Sequence, residues 1–176
     1  ETIEPAYGIP SKWITKDKKE MAEIYGYTVI DPLSVVVTHL SEIVKKYAHE
    51  LFTRQDLNQL LENVKKTDTT IVDDVIPNMV SLSALQKVLC NLLKEGVPIR
   101  DMESILETIG DQGVAIKDTD MLTEYVRQKL KRTITRKYTD GSSIKVISLD
   151  QGIENTILNS AKKSEHGTYL AIEPQV

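Results

Sequence analysis

The strongest pattern of apolar positions lies between residues 33 and 51 and predicts an amphipathic helix. Asp31 and Pro32 stand directly before it, where an aspartate caps the first turn and a proline fits the first helical position. Residues 28–30 predict a short strand that leads into this helix. We expect the apolar stripe to be buried and to form the best-supported core helix of the chain. The stripe consists of Val36, Leu40, Ile43, Val44, Tyr47 and Leu51, and a polar face carries Ser34, Thr38, Ser41 and Lys45.

The first 31 residues combine short apolar runs with prolines and glycines, which is typical of turns between short elements. An irregular proline-containing turn leads to a predicted strand at 12–14. Helical spacing then predicts a helix over 18–25, which Gly26 can end. A second strand is predicted at 27–30, so this segment has the β-α-β order of a small α/β unit.

The stretch from residue 52 to residue 131 predicts an all-helical region with short connections. Thr53 followed by Asp56 has the spacing of a capping box at the start of a helix. Polar and glycine-containing segments at 67–74 and 110–113 predict loops. The predicted helices begin near residues 53, 81, 102 and 119, and the second of them carries a stripe of leucines.

The character of the chain changes after residue 131. Asp140 and Gly141 form a turn signal, and strands are predicted at 144–149 and 169–172 on either side of a helix that Asp150 caps. This order is the start of a second α/β unit that is not completed. The predicted fold class is therefore α+β with several subdomains: a small α/β unit, an all-helical middle and an incomplete second α/β unit.

The composition of the chain limits the classes of partner that it is expected to bind. The 176 residues carry a net charge of −4, which argues against nucleic acid as a main partner. The single cysteine excludes an intrachain disulfide framework. No uncharged apolar run is long enough to span a membrane, and we find no signal peptide or initiating methionine. We therefore expect this chain to be a piece of a longer protein.

Residue types that could perform catalysis do not converge on one place in the sequence. His39, His49 and His166 are too scattered to share a metal ion. Cys90 lies in the leucine-rich helix with no histidine or asparagine placed by a motif to activate it. Asp73 is followed by a second aspartate, and this pair is most simply a solvated loop feature. We predict no catalytic residues, no metal and no cofactor, and a small hydrolase using Asp73, Asp74 or His39 is the least favoured hypothesis.

A cluster of basic residues between 127 and 137 allows one alternative function. Cations near a helix C-terminus are favourable on their own. Residues 81–109 could instead form a helix-turn-helix motif of a DNA-binding regulator. The second helix of that motif would carry Asp101, Glu103 and Glu107, whose negative charge opposes DNA phosphates.

The turn at residues 4–7 gives the remaining candidate site. Tyr7 stands close to two prolines, and Thr38 lies on the polar face of the predicted helix over 33–51. Together they would form a shallow apolar depression that suits protein recognition. The alternative is that Tyr7 packs inside its own subdomain.

Three motifs carry a resemblance to a known family. They are Glu-Pro-Ala-Tyr-Gly-Ile-Pro-Ser-Lys-Trp-Ile at 4–14, Val-Ile-Asp-Pro-Leu-Ser-Val-Val-Val-Thr-His-Leu at 29–40, and Lys-Val-Leu-Cys-Asn-Leu-Leu-Lys-Glu-Gly-Val-Pro-Ile-Arg-Asp-Met at 87–102. In order and content they resemble the FlhA family of flagellar and type III secretion export gates. The resemblance implies a part of the cytoplasmic region, at the cytoplasmic face of the bacterial inner membrane, with membrane contact only through a missing N-terminal half.

The resemblance also implies a layout and a set of partners. Residues 1–31 would end the second cytoplasmic subdomain, 32–51 would return to the first, 52–131 would form the helical third, and 132–176 would begin the fourth. The family assembles into a nonameric ring and performs no chemistry. It docks export chaperones that carry filament-type cargo, and it communicates with the export ATPase complex and with other export-gate proteins.

The family's docking dimple maps onto named positions of this sequence. By the resemblance, Glu4, Tyr7 and Thr38 would form the chaperone-binding site, with Ile30 and Pro32 as neighbours. Glu4 stands where the family commonly has aspartate, and Tyr7 where it commonly has phenylalanine. Either departure would change the depth or the polarity of the dimple.

Overall fold

The computed structural model describes residues 1–164 and 167–172. It divides into two compact units, residues 1–136 and residues 137–176. The mixed, helix-rich architecture confirms the predicted α+β class.

The N-terminal segment contains one hairpin, whose two strands have two residues each, and one short helix. Strands β1 (Thr2–Ile3) and β2 (Pro10–Ser11) pair antiparallel, and a 3₁₀ turn (Lys16–Lys18) leads into α1 (Lys19–Ile24). Gly26, with φ of 83°, ends α1 as predicted.

Both strand predictions for this segment were wrong. Residues 12–14 and 27–30 are assigned to no strand, so the β-α-β order is not formed within the described residues. A strand needs a neighbour to bond its backbone, and a local apolar run does not supply one.

The helix predicted from Asp31 onward forms, but it is broken once and its apolar stripe is not covered. Helix α2 (Pro32–Lys46) begins with the Ser34 amide donating to Asp31 Oδ1 over 3.0 Å, and after Tyr47 the chain continues as α3 (Ala48–Leu51). None of the α2 residues, all of which are described, is buried. Leu40, in the middle of the stripe, is 60% exposed. The prediction of a core helix was therefore wrong, because periodicity defines an apolar face and not what packs on it.

The helical middle forms the hydrophobic core of the first unit. Its helices are α4 (Arg54–Lys65), α5 (Thr69–Val75), α6 (Leu82–Lys94), α7 (Met102–Gly113) and α8 (Thr119–Lys129), followed by α9 (Lys131–Tyr138). Side chains of α4 to α8 interlock, and the largest fully buried ones are Leu57, Leu85, Val88, Leu89, Leu92, Ile105, Leu106, Ile109, Leu122 and Val126. The predicted leucine stripe of α6 is thus confirmed as core.

Local signals explain where these helices begin. Thr53 and Asp56 form the predicted capping box of α4, with the Thr53 amide donating to Asp56 Oδ2 over 2.8 Å and the Asp56 amide donating to Thr53 Oγ1 over 3.2 Å. Ser81 caps α6 by accepting from the Ala84 amide. The helix predicted from residue 119 is interrupted at Leu130, which separates α8 from α9.

Two predicted loops proved to be helical. Residues 67–74 contribute most of α5, because Asp68 Oδ1 accepts from two free amides at its start, those of Thr70 and Ile71. Residues 110–113 complete α7. Gly113 is buried there, and an added Cβ would lie 2.5 Å from Val80 Cγ1, so a glycine lets the helix approach the 75–80 segment closely.

In the described part of the second unit, two pairs of short antiparallel strands accompany one helix. Strands β3 (Thr139–Asp140) and β4 (Ser143–Ile144) enclose the predicted turn, where Gly141 has φ of 65°. Helix α10 (Gln151–Ser160) is capped by Asp150 as predicted, and β5 (Ala161–Ser164) pairs antiparallel with β6 (Gly167–Leu170).

The strand predicted over 144–149 is reduced to Ser143 and Ile144, and the one predicted over 169–172 occurs earlier, as β6. Ile147 is almost completely exposed and finds no strand neighbour among the described residues.

Candidate functional site

The carboxylate of Glu4 organises the turn that carries Tyr7. Glu4 Oε1 accepts from the Ala6 amide over 2.9 Å and Oε2 accepts from the Tyr7 amide over 2.7 Å. The main chain closes the same turn, with the Glu4 amide donating to the Ile9 carbonyl over 2.8 Å and the Gly8 amide donating to the Glu4 carbonyl over 2.9 Å. Gly8 has φ of 70°, a conformation that favours glycine. The turn is therefore held by both side-chain and backbone bonds.

Tyr7 projects from this turn into solvent. Its side chain is 64% exposed, so it does not pack inside the N-terminal segment. The pKa of Lys45 on α2 is raised, chiefly by its ion pair with Glu42 (Nζ–Oε1 2.7 Å) and to a smaller extent by the Tyr7 phenol. The Tyr7 oxygen therefore lies within electrostatic range of the Lys45 side chain.

Thr38 belongs to the same helix as Lys45 and shares a face with it. Positions i, i+3, i+4 and i+7 align along an α-helix, so Thr38, Ser41, Glu42 and Lys45 form one polar row. Seven residues correspond to about 10 Å of helix. Thr38 is half-buried at one end of this row, and Lys45, near Tyr7, lies at the other.

Ile30 and Pro32 flank the start of α2. Ile30 is 54% exposed, and Pro32 is exposed at the first helical position. The pKa of Asp31 between them is lowered by hydrogen bonds from the side chain and then the backbone of Ser34. These hydrogen bonds fix the N-terminal end of α2, the helix that carries Thr38.

Sequence reasoning missed two features of this surface. The first is the position of Tyr7 within electrostatic range of Lys45, which relates positions far apart in the sequence and has no local signal. The second is the open apolar face of α2, which adds Leu33 and Val37 to the predicted stripe as exposed side chains. Its signal is the stripe itself, because the same periodicity marks an apolar face whether or not that face is covered.

The other candidates, so far as the structure describes them, lie in separate surroundings. The described residues contain no cluster of three or more His, Cys, Asp or Glu side chains able to hold a metal ion. The Nδ1 atoms of His39 and His49 are buried and lack a partner in the described part of the chain, whereas His166 lies outside it. Burial raises the pKa of the Cys90 thiol, which opposes formation of a nucleophilic thiolate. Asp73 pairs with Lys65, with 3.2 Å between Nζ and Oδ1.

The basic residues near the end of α8 are partly paired with acidic ones. Arg127 contacts Glu124 at 2.7 Å and Glu95 at 3.3 Å, and Lys129 contacts Glu107 on α7 at 3.1 Å. The apolar face of α7 is buried in the core, and Glu103 and Glu107 lie outside it. The geometry therefore gives no support to α7 as a DNA-recognition helix.

Membrane crossing requires a long apolar helix. Among residues 1–164 and 167–172, no helix combines the length and the apolar character needed to cross a bilayer.

Comparison with known sequences identifies one family over the full length of the chain. Residues 1–176 match the FHIPEP family. The chain is 43% identical over 177 residues to the flagellar biosynthesis protein FlhA of Bacillus subtilis, covering 100% of this chain and 26% of that protein. It is 40% identical over 174 residues to FlhA of Borreliella burgdorferi, covering 98% of this chain and 25% of that protein. The chain therefore spans about a quarter of the length of these relatives.

Solved structures share the fold. The CdsV protein of Chlamydia pneumoniae superimposes with a TM-score of 0.85 at 33% identity, covering 96% of this chain and 49% of that one. A CdsV and CdsO complex from the same organism gives a TM-score of 0.82 at 32% identity, with 93% and 48% covered. Nonameric SctV-C from EPEC, solved by cryo-electron microscopy, gives 0.73 at 27% identity, with 91% and 49% covered.

The full-length family match, the identity to the flagellar relatives and the shared fold all agree with the three sequence motifs. They give no support to a DNA-binding regulator. The chain belongs to the FHIPEP family of flagellar biosynthesis and type III export-gate proteins.

Proposed function

We propose that this chain is a non-enzymatic docking platform of the flagellar export gate. It would bind export chaperones loaded with filament-type cargo and relay them to the export channel. The observation that carries the proposal is the exposed Tyr7, presented on a turn that Glu4 bonds and within electrostatic range of Lys45, which belongs to the polar row of α2 that also includes Thr38. An aromatic side chain presented in this way is typical of a residue that anchors a protein partner.

The chemistry of the surface supports weak and reversible binding. Ile30 and Pro32 extend the surface at the start of the helix that carries Thr38, whereas the exposed apolar stripe of α2 lies on the opposite face of that helix. Burying one large apolar side chain contributes about 1.5–3 kcal/mol before costs. A micromolar complex requires about 8 kcal/mol net, so Tyr7 cannot act without flanking contacts. A relay that handles many cargoes needs affinities of this modest order.

We also propose that the chain takes part in a larger assembly. CdsV has been solved in complex with CdsO, which supports partner binding by this chain, and SctV-C has been solved as a nonamer, which supports a ring. By the family resemblance, the partners would include the export ATPase complex and other export-gate proteins. The chain would lie at the cytoplasmic face of the inner membrane.

The subdomain assignment is part of this proposal. Residues 1–31 would end a second subdomain, 32–51 would belong to a first, 52–131 form the third, and 132–176 begin the fourth. The uncovered apolar face of α2 supports the second of these assignments, because a helix with such a face needs another element to pack on it.

Isothermal titration calorimetry with a cognate chaperone–cargo complex tests the docking site. Tyr7→Ala and Thr38→Asp should each weaken binding at least tenfold, because one removes the anchor and the other places a charge on the contact face. Tyr25→Ala and Thr133→Asp are matched controls, since they change an equally exposed tyrosine and an exposed helical threonine elsewhere. Unchanged affinity in folded Tyr7→Ala and Thr38→Asp proteins, verified by circular dichroism, would remove the site.

A further inference from the structure

The hydrogen bonds of the turn at residues 4–9 indicate that Glu4 has a role different from that of the other proposed docking residues. We propose that Glu4 is a positioning residue that acts through Tyr7 and does not itself contact the docked chaperone. The inference rests on the proposed docking function and names how one of its residues works.

Both oxygens of the Glu4 carboxylate are engaged within the turn. They accept from the amides of Ala6 and Tyr7, at 2.9 and 2.7 Å. Hydrogen bonds to a charged acceptor are stronger than neutral ones, and both donors belong to the main chain that leads into the tyrosine side chain. A partner that drew this carboxylate out of the turn would break the bonds that hold Tyr7 in place.

The remaining bonds of the turn make the position of Tyr7 depend on Glu4. The backbone bonds from the Glu4 amide to the Ile9 carbonyl and from the Gly8 amide to the Glu4 carbonyl close the ends of the turn, but the Tyr7 amide itself donates to the Glu4 carboxylate. Removing the carboxylate would leave the Tyr7 amide to water and free the main chain on which the side chain stands.

The same chain shows that aspartate can perform this task. Asp68 Oδ1 accepts from the amides two and three residues later at 2.9 and 3.2 Å, and Asp118 Oδ1 does so at 2.8 and 3.3 Å. Glu4 bonds the amides at the same two spacings with two oxygens in place of one. Glu4→Asp should therefore keep the turn, which explains how glutamate can replace the aspartate common at this position in the family.

The first measurement follows the turn without any partner. Solvent-exchange rates of the Ala6 and Tyr7 amides, measured by nuclear magnetic resonance, should rise about tenfold in Glu4→Ala and stay within about threefold in Glu4→Asp. Glu20→Ala, which changes a nearby exposed glutamate in α1, is the control and should leave both rates unchanged. Equal exchange rates in Glu4→Ala and the unmodified chain would overturn the proposal.

The second measurement is a double-mutant cycle on chaperone affinity. Glu4→Ala should weaken binding about tenfold in the unmodified chain and have no further effect in a Tyr7→Ala background, because it acts through Tyr7 alone. Additive effects would mean that Glu4 touches the partner, and they would also overturn the proposal. If Tyr7→Ala leaves affinity unchanged while the amide rates respond to Glu4→Ala, the docking function fails and the positioning of Tyr7 by Glu4 stands.

Discussion

Gly113 at the end of α7 provides a sharp test of how the helical core is packed. A Cβ at this position would lie 2.5 Å from Val80 Cγ1, well inside van der Waals contact, and 3.6 Å from the Met79 carbonyl oxygen. Relieving such an overlap costs about 1–3 kcal/mol. Replacing glycine by alanine recovers at most about 1 kcal/mol of helix propensity, and less in a terminal turn. We expect Gly113→Ala to lower the free energy of unfolding by about 1–2 kcal/mol.

Gly110, one turn earlier on the same helix, is the matched control. Its added Cβ would lie 3.1 Å from Val75 Cγ2 and 3.5 Å from Met79 Sδ, so a shift of the Val75 methyl by a few tenths of an ångström accommodates it, far less than Gly113→Ala would require of Val80. The gain in helix propensity then offsets the remaining crowding. Gly110→Ala should change the free energy of unfolding by less than about 0.5 kcal/mol.

Urea denaturation followed by circular dichroism measures both variants. With a urea dependence of about 1–3 kcal/mol per molar, Gly113→Ala should lower the unfolding midpoint by about 0.3–2 M, and Gly110→Ala should change it much less. Val80→Ala combined with Gly113→Ala should cost less than the sum of the two single losses, because the overlap is then removed, and a double-mutant cycle detects this difference. A Gly113→Ala protein as stable as Gly110→Ala would refute the close approach of α7 to the 75–80 segment.

Two further predictions concern burial and capping in the first unit. Leu89→Ala should lower the free energy of unfolding by about 2–5 kcal/mol in chemical denaturation, because Leu89 is fully buried. Leu40→Ala on the open face of α2 should change it by less than about 0.5 kcal/mol. Similar losses in the two variants would contradict the assigned burial. Thr53→Ala should cost about 1 kcal/mol in the same assay, and a neutral result would contradict the capping box. Hydrogen bonds from the Thr53 side chain and then from its backbone lower the pKa of Asp56 below 3.8. The stabilisation by the ionised Asp56 is therefore present above pH 3.8 and is lost as the pH falls through the folded-state pKa. Asp56→Asn should abolish this pH dependence in denaturation series at several pH values.

Helices of the core were predictable because one pattern reported both their conformation and their environment. In α6 the leucines that define the helical period are the same side chains that the neighbouring helices bury. In α2 the start and the period were equally clear, but burial depended on an element that the local pattern cannot reveal. The strand predictions at 12–14 and 27–30 were wrong for a related reason, since a strand forms only when its backbone hydrogen-bonds to a neighbouring strand.

Glycine and aspartate produced the remaining errors in the helical middle. Gly110 and Gly113 are ordinarily signals of a loop, but here the lack of a side chain permits close packing of α7. The polar stretch before Val75 concealed a helix whose start depends on a single cap, Asp68.

The candidate site was predicted mainly through the family resemblance. The sequence alone proposed that Tyr7 and Thr38 form a recognition surface and left open whether Tyr7 was buried. Exposure of Tyr7 and the local bonds of Glu4 are properties of the folded turn, and the electrostatic effect of Tyr7 on Lys45 relates positions about 40 residues apart in the chain. No local rule of propensity or periodicity connects such positions.

The uncovered face of α2 also determines how this chain should behave in a test tube. Contiguous apolar side chains that contact water favour self-association, and strongly hydrated salts such as ammonium sulfate strengthen that tendency. Turbidity should therefore appear at lower salt than for a variant in which Val36, Leu40 and Ile43 are replaced by glutamine. A fluorescent dye that reports apolar surface should brighten on the folded chain and dim on the same variant.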